Sequence, residues 1–293
     1  MKALSKTYIG LILAVLYVPI LVLMLFSFNS TNNTGVFTGF SLYWYAELFR
    51  SADTFTALKN TLILALSSAC ISTLIGTAAA LGLDRMRSKL ARGFISSVTN
   101  VPMMNPDIVT GISMMLLFVF VGNMLQSTEK LNFWTLLIAH VTFNLPYVLL
   151  NVAPKFRQMD KFLPEAAQDL GCTPAQSFFK VELPNIMPGV VTGFIMAFTL
   201  SLDDFVISYF CAGSDFQTLP ILIYSMTKKE VKPDIYALST LMILAILALL
   251  ILTNLSGNRK SGFQDRWSEA RSRLRQRLQR DRVTENKQGG DAV

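Results

Sequence analysis

The sequence is poor in the residues that build catalytic and metal-binding sites. It holds one histidine and three cysteines in 293 residues, and the cysteines lie far apart, at positions 70, 172 and 211. This number and spacing predict neither a disulfide framework nor a metal site. A Gly-x-x-x-x-Gly-Lys-Ser/Thr loop and a serine nucleophile elbow are also missing, which argues against ATP binding by this chain and against hydrolase activity. We therefore expect a chain that is not an enzyme and that binds no cofactor and no metal itself.

Charged residues are scarce as well, and long apolar runs take their place. Charged residues make up 15% of the chain, whereas about 25% is usual in soluble domains. Six apolar runs have roughly the 17–25 residues that cross a bilayer as a helix. Because a backbone in lipid must satisfy its own hydrogen bonds, we predict an all-α polytopic membrane protein with six transmembrane helices. The runs are Tyr8–Phe28, Ala57–Leu83, Val101–Val121, Phe133–Val152, Ile186–Cys211 and Ile235–Leu255.

The distribution of lysine and arginine predicts the orientation of these spans. With the N-terminus in the cytoplasm, twenty of the 26 lysine and arginine residues fall on the cytoplasmic side, as the positive-inside rule requires. The first run is not followed by a small-residue cleavage site, so we expect it to be retained as a helix. We expect both termini in the cytoplasm and three parts of the chain: 1–56 with the first helix and an outer loop, 57–255 with the other spans, and 256–293 as a basic tail. The tail is either an interfacial helix on anionic membrane lipid or a disordered segment.

A polar segment between the fourth and fifth runs, Pro164–Pro184, has its own helix signals. Pro164 suits the first turn of a helix, because an N–H group at that position would have no hydrogen-bond partner within the helix. Gly171 falls where such a helix would need a left-handed residue to end. Thr173 and Pro174 then predict an N-cap and the first turn of a second short helix, which we expect to end before Leu183. The segment is predicted to be a helix-turn-helix on the cytoplasmic side, too short to span the membrane.

Three aspartates lie inside the apolar runs. They are Asp107, Asp203 and Asp204, and apart from Lys59 at the outer edge of the second run no lysine or arginine lies in a span to pair with them. A charged side chain at mid-bilayer costs about 2.5–3.5 kcal/mol on insertion scales, so these carboxylates should face water, another subunit or a positively charged solute. On one continuous helix Asp203 and Asp204 would point about 100° apart. We expect only one of these two to face a pathway and the other to bind nearby polar groups of the helix.

Other polar and aromatic residues allow two interpretations each. The single histidine, His140, lies within the fourth run, where we expect a hydrogen-bonded packing residue rather than a ligand. The outer loop carries a group of four aromatic residues, which form either an interfacial belt or a surface that contacts a partner or a cation. Trp44 is the candidate for a cation–π contact at the outer mouth. The four aromatic residues of the outer loop are Phe40, Tyr43, Trp44 and Tyr45.

The polar segment resembles the cytoplasmic signature of binding-protein-dependent ABC importer permeases. The matching residues are Glu165-Ala166-Ala167, then Gly171, then Val181-Glu182-Leu183-Pro184. The family usually has isoleucine where this chain has Val181. Three further stretches resemble the permease subunit of spermidine/putrescine importers. They are Pro106-Asp107-Ile108-Val109, Ser201-Leu202-Asp203-Asp204 and Ile223-Tyr224-Ser225-Met226.

The resemblance implies a type I ABC importer permease fold with a cytoplasmic coupling helix, in a bacterial inner membrane. It implies a second permease subunit, two cytoplasmic ATPase subunits that use ATP, an external substrate-binding protein, and no nucleic acid. It assigns Glu165, Ala166, Ala167, Gly171, Leu183 and Pro184 to ATPase coupling, with Phe178 and Phe179 as candidates to fill an apolar pocket of the ATPase. For the substrate pathway we select Asp203 and Asp204 first, then Asp107 and Trp44.

The alternatives concern the solute and the class of transporter. The coupling signature is shared by permeases for many substrates, so another cationic or metal-chelate solute stays open. A secondary transporter or a channel also tolerates acids in its spans. Such a protein more often has an inverted internal repeat, and it has no need for a Glu-Ala-Ala element.

Overall fold

The computed structural model describes residues 2–31, 36–228, 234–248 and 251. Apart from turns, loops and one isolated antiparallel bridge between Asn29 and Phe40, the described residues form helices. The all-α prediction is therefore confirmed for this part of the chain. The chain divides into two compact units, Met1–Ile246 and Leu247–Val293. The predicted basic tail, 256–293, lies outside the described residues.

Helices of very different length follow one another along the chain. They are α1 Lys2–Phe26, α2 Tyr43–Arg50, α3 Ala52–Arg85, α4 Lys89–Met104, α5 Asp107–Met124, α6 Phe133–Gln158, α7 Leu163–Asp169, α8 Pro174–Ser177, α9 Leu183–Asp203, α10 Val206–Cys211, α11 Leu219–Thr227 and α12 Asp234–Ala248. Within the described residues, five helical segments are long and apolar enough to cross a membrane: Thr7–Phe26, Ala52–Arg85, Asp107–Met124, Phe133–Gln158 and Pro174–Asp203. The shorter α12 covers part of the sixth predicted run, and the rest of that run, except residue 251, lies outside the described residues.

The core of the first unit lies where α3, α6 and α9 pack against one another. Ala69 and Ala80 of α3 and Val148 of α6 are buried there. A Cβ atom on Gly76 would lie 2.6 Å from Cγ1 of Val148, so only glycine allows α3 and α6 to approach this closely. Small residues at helix contacts are the usual means of close packing in lipid. The small residues of α3 therefore allow close packing against α6.

The third apolar run is not a single helix. α4 ends at Met104 and α5 begins at Asp107, and between them Asn105 is extended, with φ −82° and ψ 137°. A residue that precedes a proline is pushed out of the α region, and Asn105 precedes Pro106. The prediction of one uninterrupted helix over Val101–Val121 is wrong.

The connection between the second and third runs is short and basic. α3 continues to Arg85, and α4 already begins at Lys89. The Ser88 hydroxyl accepts a hydrogen bond from the Ala91 N–H group and so caps α4. Arg85, Lys89 and Arg92 therefore lie on these helices, and Arg87 lies between them.

The fifth apolar run is broken near its C-terminal end. α9 ends at Asp203, Asp204 is extended with φ −63° and ψ 123°, and α10 begins at Val206. The prediction of one helix over Ile186–Cys211 is wrong, because Asp204 leaves the helical conformation and its side chain binds the start of α10 instead. The angular offset expected between Asp203 and Asp204 on a continuous helix does not apply.

Candidate functional site

The polar segment begins with the short helix α7, as predicted. Pro164 lies in its first turn, and Ala167 is the buried residue of this helix. Gly171 follows with φ +88°, a left-handed conformation that glycine adopts without strain. Its N–H group donates to the Gln168 carbonyl, and the Cys172 N–H group donates to the Ala167 carbonyl at 3.1 Å. These bonds satisfy carbonyl groups at the end of α7 and turn the chain sharply.

The second helix of the segment starts where the sequence predicts. The Thr173 hydroxyl accepts from the Gln176 N–H group at 3.3 Å, and the Gln176 side chain accepts from the Thr173 N–H group at 3.1 Å. This reciprocal pair is a capping box. The buried Ser177 hydroxyl donates to the Pro164 carbonyl at 3.3 Å. The two short helices are therefore tied together into one compact element.

The end predicted for this second helix is wrong. The chain does not stop before Leu183 but continues through a π-helical turn, Phe178–Glu182, directly into α9. Pro184 has no N–H group to donate, and its ring would clash with the Lys180 carbonyl in a regular α-helix. A widened turn before the proline relieves both problems. The polar segment consequently joins a candidate membrane span without an intervening loop.

The residues assigned to ATPase coupling lie on two sides of this element. Glu165 and Ala166 are exposed, whereas Ala167 faces the chain's own interior and Leu183 packs against the core. Pro184 is exposed in the first turn of α9.

Large apolar side chains surround the exposed face of α7. Phe162 is 71% exposed, Leu170 87% and Phe179 65%. Exposed apolar patches of this kind mark surfaces that contact another protein or a membrane. Phe178, in contrast, packs against the core of this chain, so Phe179 alone stays a candidate for a partner's apolar pocket.

An ion pair that the sequence did not predict joins the segment to α3. Arg85 Nη2 lies 2.8 Å from Glu182 Oε1, and the side chains are 51% and 3% exposed respectively. Glu182 lies in the π-helical turn, and Arg85 lies in the last turn of α3. The sequence carries no local signal for this contact because the two residues are 97 positions apart.

The two neighbouring aspartates have different surroundings. Asp203 is the last residue of α9 and is exposed on the chain. The Asp204 side chain is only 8% exposed. It accepts hydrogen bonds from the Ser208 N–H group at 2.8 Å and from the Ile207 N–H group at 3.4 Å. Asp204 therefore caps α10, and the expectation that one of the pair binds nearby polar groups of the helix is confirmed.

His140 of α6 completes a buried polar cluster around Asp204. Its Nδ1 lies 2.6 Å from Ser201 Oγ, and its Nε2 lies 3.1 Å from Ser208 Oγ and 3.5 Å from Asp204 Oδ2. Ser201 Oγ is also 2.8 Å from Ser68 Oγ of α3. The histidine is fully buried, which confirms a hydrogen-bonded packing residue. Since a carboxylate only accepts, this geometry favours the tautomer with the hydrogen on Nε2 and a Ser201 hydroxyl that donates to Nδ1.

The other two predicted pathway residues belong to other helices than the members of this cluster. Asp107 is the exposed first residue of α5, one helical turn before Gly111, where a Cβ atom would lie 3.0 Å from the Phe210 ring of α10. Trp44 lies in α2, and its Nε1–H group donates to the Asn29 carbonyl at 2.8 Å. Its predicted cation–π contact with a solute stays a prediction.

A second group of aromatic rings lies beside the helix break. The ring centres of Phe205 and Tyr224 are 4.6 Å apart, and Tyr209 lies 5.4 Å from Phe205 and 5.7 Å from Tyr224. The ammonium of Lys228 lies 4.7 Å from the centre of the Tyr224 ring. Tyr224 lies in one of the stretches that resemble polyamine permeases, but no sequence pattern brings it together with Phe205 and Tyr209, because it belongs to another helix.

Comparison with known proteins places these features in a family of transport proteins. The sequence profile described as "Binding-protein-dependent transport system inner membrane component" matches residues 72–259. The chain is 40% identical over 232 residues to the putrescine transport system permease protein PotI of Escherichia coli (strain K12), which covers 79% of this chain and 82% of the relative. It is 37% identical over 260 residues to the spermidine/putrescine transport system permease protein PotC of the same strain, which covers 89% of this chain and 96% of the relative.

Solved structures support the fold. A bacterial ABC transporter involved in the import of the acidic polysaccharide alginate matches with a TM-score of 0.70 and 17% sequence identity, over 88% of this chain and 94% of that chain. At this identity the likeness concerns the fold alone. It confirms the predicted ABC importer permease fold.

Proposed function

This chain belongs to the family of binding-protein-dependent transport system inner membrane components, and we propose that it is the permease subunit of an ATP-driven importer of spermidine and putrescine. The observation that carries the proposal is the identity of 37–40% with polyamine permeases over most of both chains. Carboxylates in the spans support it. Asp107 and Asp203 are exposed on the chain and are paired with no lysine, arginine or histidine among the described residues. A polycationic solute would supply the missing positive charge.

The proposed assembly contains a second permease, two cytoplasmic ATPase subunits and an external binding protein that hands over the polyamine. ATP is used by the ATPase subunits, and this chain contributes no nucleotide site. Both termini lie in the cytoplasm in this proposal. Membrane lipid surrounds the spans.

The polar segment is the proposed contact with one ATPase subunit. Glu165 offers a carboxylate to a cation or backbone N–H group of the ATPase, and Ala166 allows close approach. Leu170 and Phe179 supply exposed apolar area at the same surface. When ATP closes the ATPase dimer, the segment moves, and the continuous helix from Pro174 to Asp203 carries this movement into the membrane. Such coupling is a rigid-body switch between two states.

The substrate is tested with the complete transporter in proteoliposomes. Radiolabelled putrescine or spermidine is supplied on its binding protein, with ATP inside, and uptake is measured against an excess of unlabelled solutes. We expect unlabelled polyamines to compete, and 1,4-butanediol, a neutral analogue of putrescine, not to compete. Uptake of a different cation or of a metal chelate, with polyamines inactive, would replace the proposed substrate by the alternative solute class.

A further inference from the structure

Three aromatic rings form one surface beside the break between α9 and α10. This aromatic cluster consists of Phe205, Tyr209 and Tyr224, whose ring centres lie 4.6–5.7 Å apart. Tyr209 and Tyr224 are 48% and 37% exposed, so the cluster is reached from outside the chain. A group of ring faces that stays accessible is suited to hold a cation, because the face of each ring is electron-rich.

A cation of this chain already lies on the cluster. The Lys228 ammonium is 4.7 Å from the centre of the Tyr224 ring, within the roughly 6 Å at which cations bind ring faces. Lys228 is exposed and forms no ion pair with a carboxylate of the described residues. Among the described residues, the face of the Tyr224 ring is therefore the contact of the Lys228 ammonium. A cation–π contact at such an exposed position is weak, so another cation can replace the lysine.

A free carboxylate lies next to the cluster in the chain. Asp203 is two residues before Phe205, is exposed, and has no lysine, arginine or histidine partner among the described residues. Its neighbour Asp204 is turned inward by the cap of α10 and the contact with His140. Asp204 therefore has a structural role at the break, whereas the Asp203 carboxylate is available to a solute.

We propose that the aromatic cluster is a binding surface for primary alkylammonium groups, and that Lys228 occupies it until the ammonium of a solute displaces the lysine. The lysine side chain is itself a four-carbon stem that ends in an ammonium, so it has the chemistry of one end of a diamine. The stem of either group packs on the rings while the charge lies on the face of Tyr224. The inference rests on the proposed function, because it assigns one end of the transported cation to this surface.

Lys228 is a competitor within the same chain in this proposal. Replacement of Lys228 by methionine removes the competing charge and should lower the polyamine concentration for half-maximal uptake by about two- to fivefold, the range expected for one exposed cation–π contact. Tyr224→Leu should raise that concentration by a similar factor. Tyr224→Phe keeps the ring face and should behave like the unaltered protein.

Displacement is measured directly through the reactivity of Lys228. The complete transporter in proteoliposomes is treated briefly with an acetylating reagent, and mass spectrometry gives the acetylation of Lys228 relative to that of Lys59. Lys59 is an exposed lysine of α3 without an ion pair, so the ratio corrects for reagent that the diamine consumes. We expect putrescine to raise the ratio about two- to fivefold, since the displaced ammonium is released to water. 1,4-butanediol should leave it unchanged.

The outcomes separate this inference from the proposed function. A ratio that putrescine leaves unchanged, in a transporter that takes up putrescine, overturns the inference and leaves the function intact. A raised ratio in a transporter that takes up no polyamine supports the ammonium surface and contradicts the function. The Tyr224→Leu variant should show a high ratio without putrescine, and a low ratio there would also overturn the inference. The first comparison uses the unaltered chain, so it does not depend on the folding of any variant.

Discussion

Arg85 and Glu182 form an ion pair, with Nη2 and Oε1 2.8 Å apart, that ties the C-terminal end of α3 to the π-helical turn before α9. The carboxylate is almost fully buried, and the guanidinium is half exposed. The pair therefore fixes the polar segment to two membrane spans at once, α9 through the chain and α3 through the side chains. We therefore expect a movement of the polar segment to carry both helices together.

Arg85→Met should lower the free energy of unfolding and the uptake more than removal of both charges of the ion pair does. The single change leaves the Glu182 carboxylate buried and unpaired, at a cost of about 1–3 kcal/mol. The double variant Arg85→Met, Glu182→Leu should recover much of this loss, since an apolar pair often replaces a buried ion pair without cost. Denaturation in detergent micelles measures the free energy of unfolding, and uptake measures the coupling. Arg87→Met, at an exposed arginine without an ion pair, is the control, and equal losses for single and double variants would contradict the interaction.

Gly171→Pro should uncouple ATP hydrolysis from uptake and leave membrane insertion intact. Gly171 has φ +88°, whereas proline is fixed near −65°, so the turn between α7 and α8 cannot form. Gly171→Ala should be milder, with about 1 kcal/mol of strain, because a Cβ at this position meets no atom within 4 Å. Membrane level, ATPase activity and uptake are compared with Gly93→Ala, a glycine whose Cβ would also meet no atom within 4 Å. Normal uptake by Gly171→Pro would refute the docking role of the segment.

Asp203→Asn and Asp204→Asn should have different effects, although the residues are neighbours. Asparagine caps helices about as well as aspartate, so Asp204→Asn should retain most uptake through its 2.8 Å contact with Ser208. Asp204→Leu removes the cap and should lose activity. Asp203→Asn should lower uptake about ten- to a hundredfold, as expected for loss of one charge-assisted contact of roughly 1.5–3 kcal/mol. Uptake is measured at equal membrane levels, and a greater loss from Asp204→Asn than from Asp203→Asn would reverse the assignment.

His140→Leu should destabilise the transmembrane unit. The change leaves polar atoms of Ser201, Ser208 and Asp204 without their shared partner, which costs about 1–3 kcal/mol. His140→Gln keeps a donor and an acceptor and should restore part of the loss. Unfolding in mixed micelles is compared with that of Thr142→Val, whose hydroxyl donates only to the Ile138 carbonyl of its own helix. Equal stability of His140→Leu and Thr142→Val would show that the cluster contributes nothing to the fold.

Features that depend on neighbouring residues could be predicted from the sequence. Pro164, Gly171 and Thr173 act on their own turns through a missing donor, a left-handed backbone and a capping hydroxyl, so each predicted its structure correctly. The spans could be found because bilayer thickness sets their length. The family signature could be recognised because its residues lie in one short segment.

Features that depend on distant residues could not be predicted. The break at Asp204 is supported by His140 from another helix, and Arg85 reaches Glu182 across 97 positions. Hydropathy averages over a window and does not register a two-residue interruption in an apolar run. The π-helical turn was missed because Pro184 predicts the end of a helix, while the fold accommodates it by widening one turn.

The source of energy for uptake tests the central claim most directly. Proteoliposomes that contain the complete transporter and polyamine-loaded binding protein are assayed with ATP inside, without ATP, and with ATP plus a protonophore. The account predicts polyamine uptake that requires ATP, persists when the proton gradient is dissipated, and is lost in the Gly171→Pro variant. Uptake that continues without ATP and collapses with the proton gradient would contradict it.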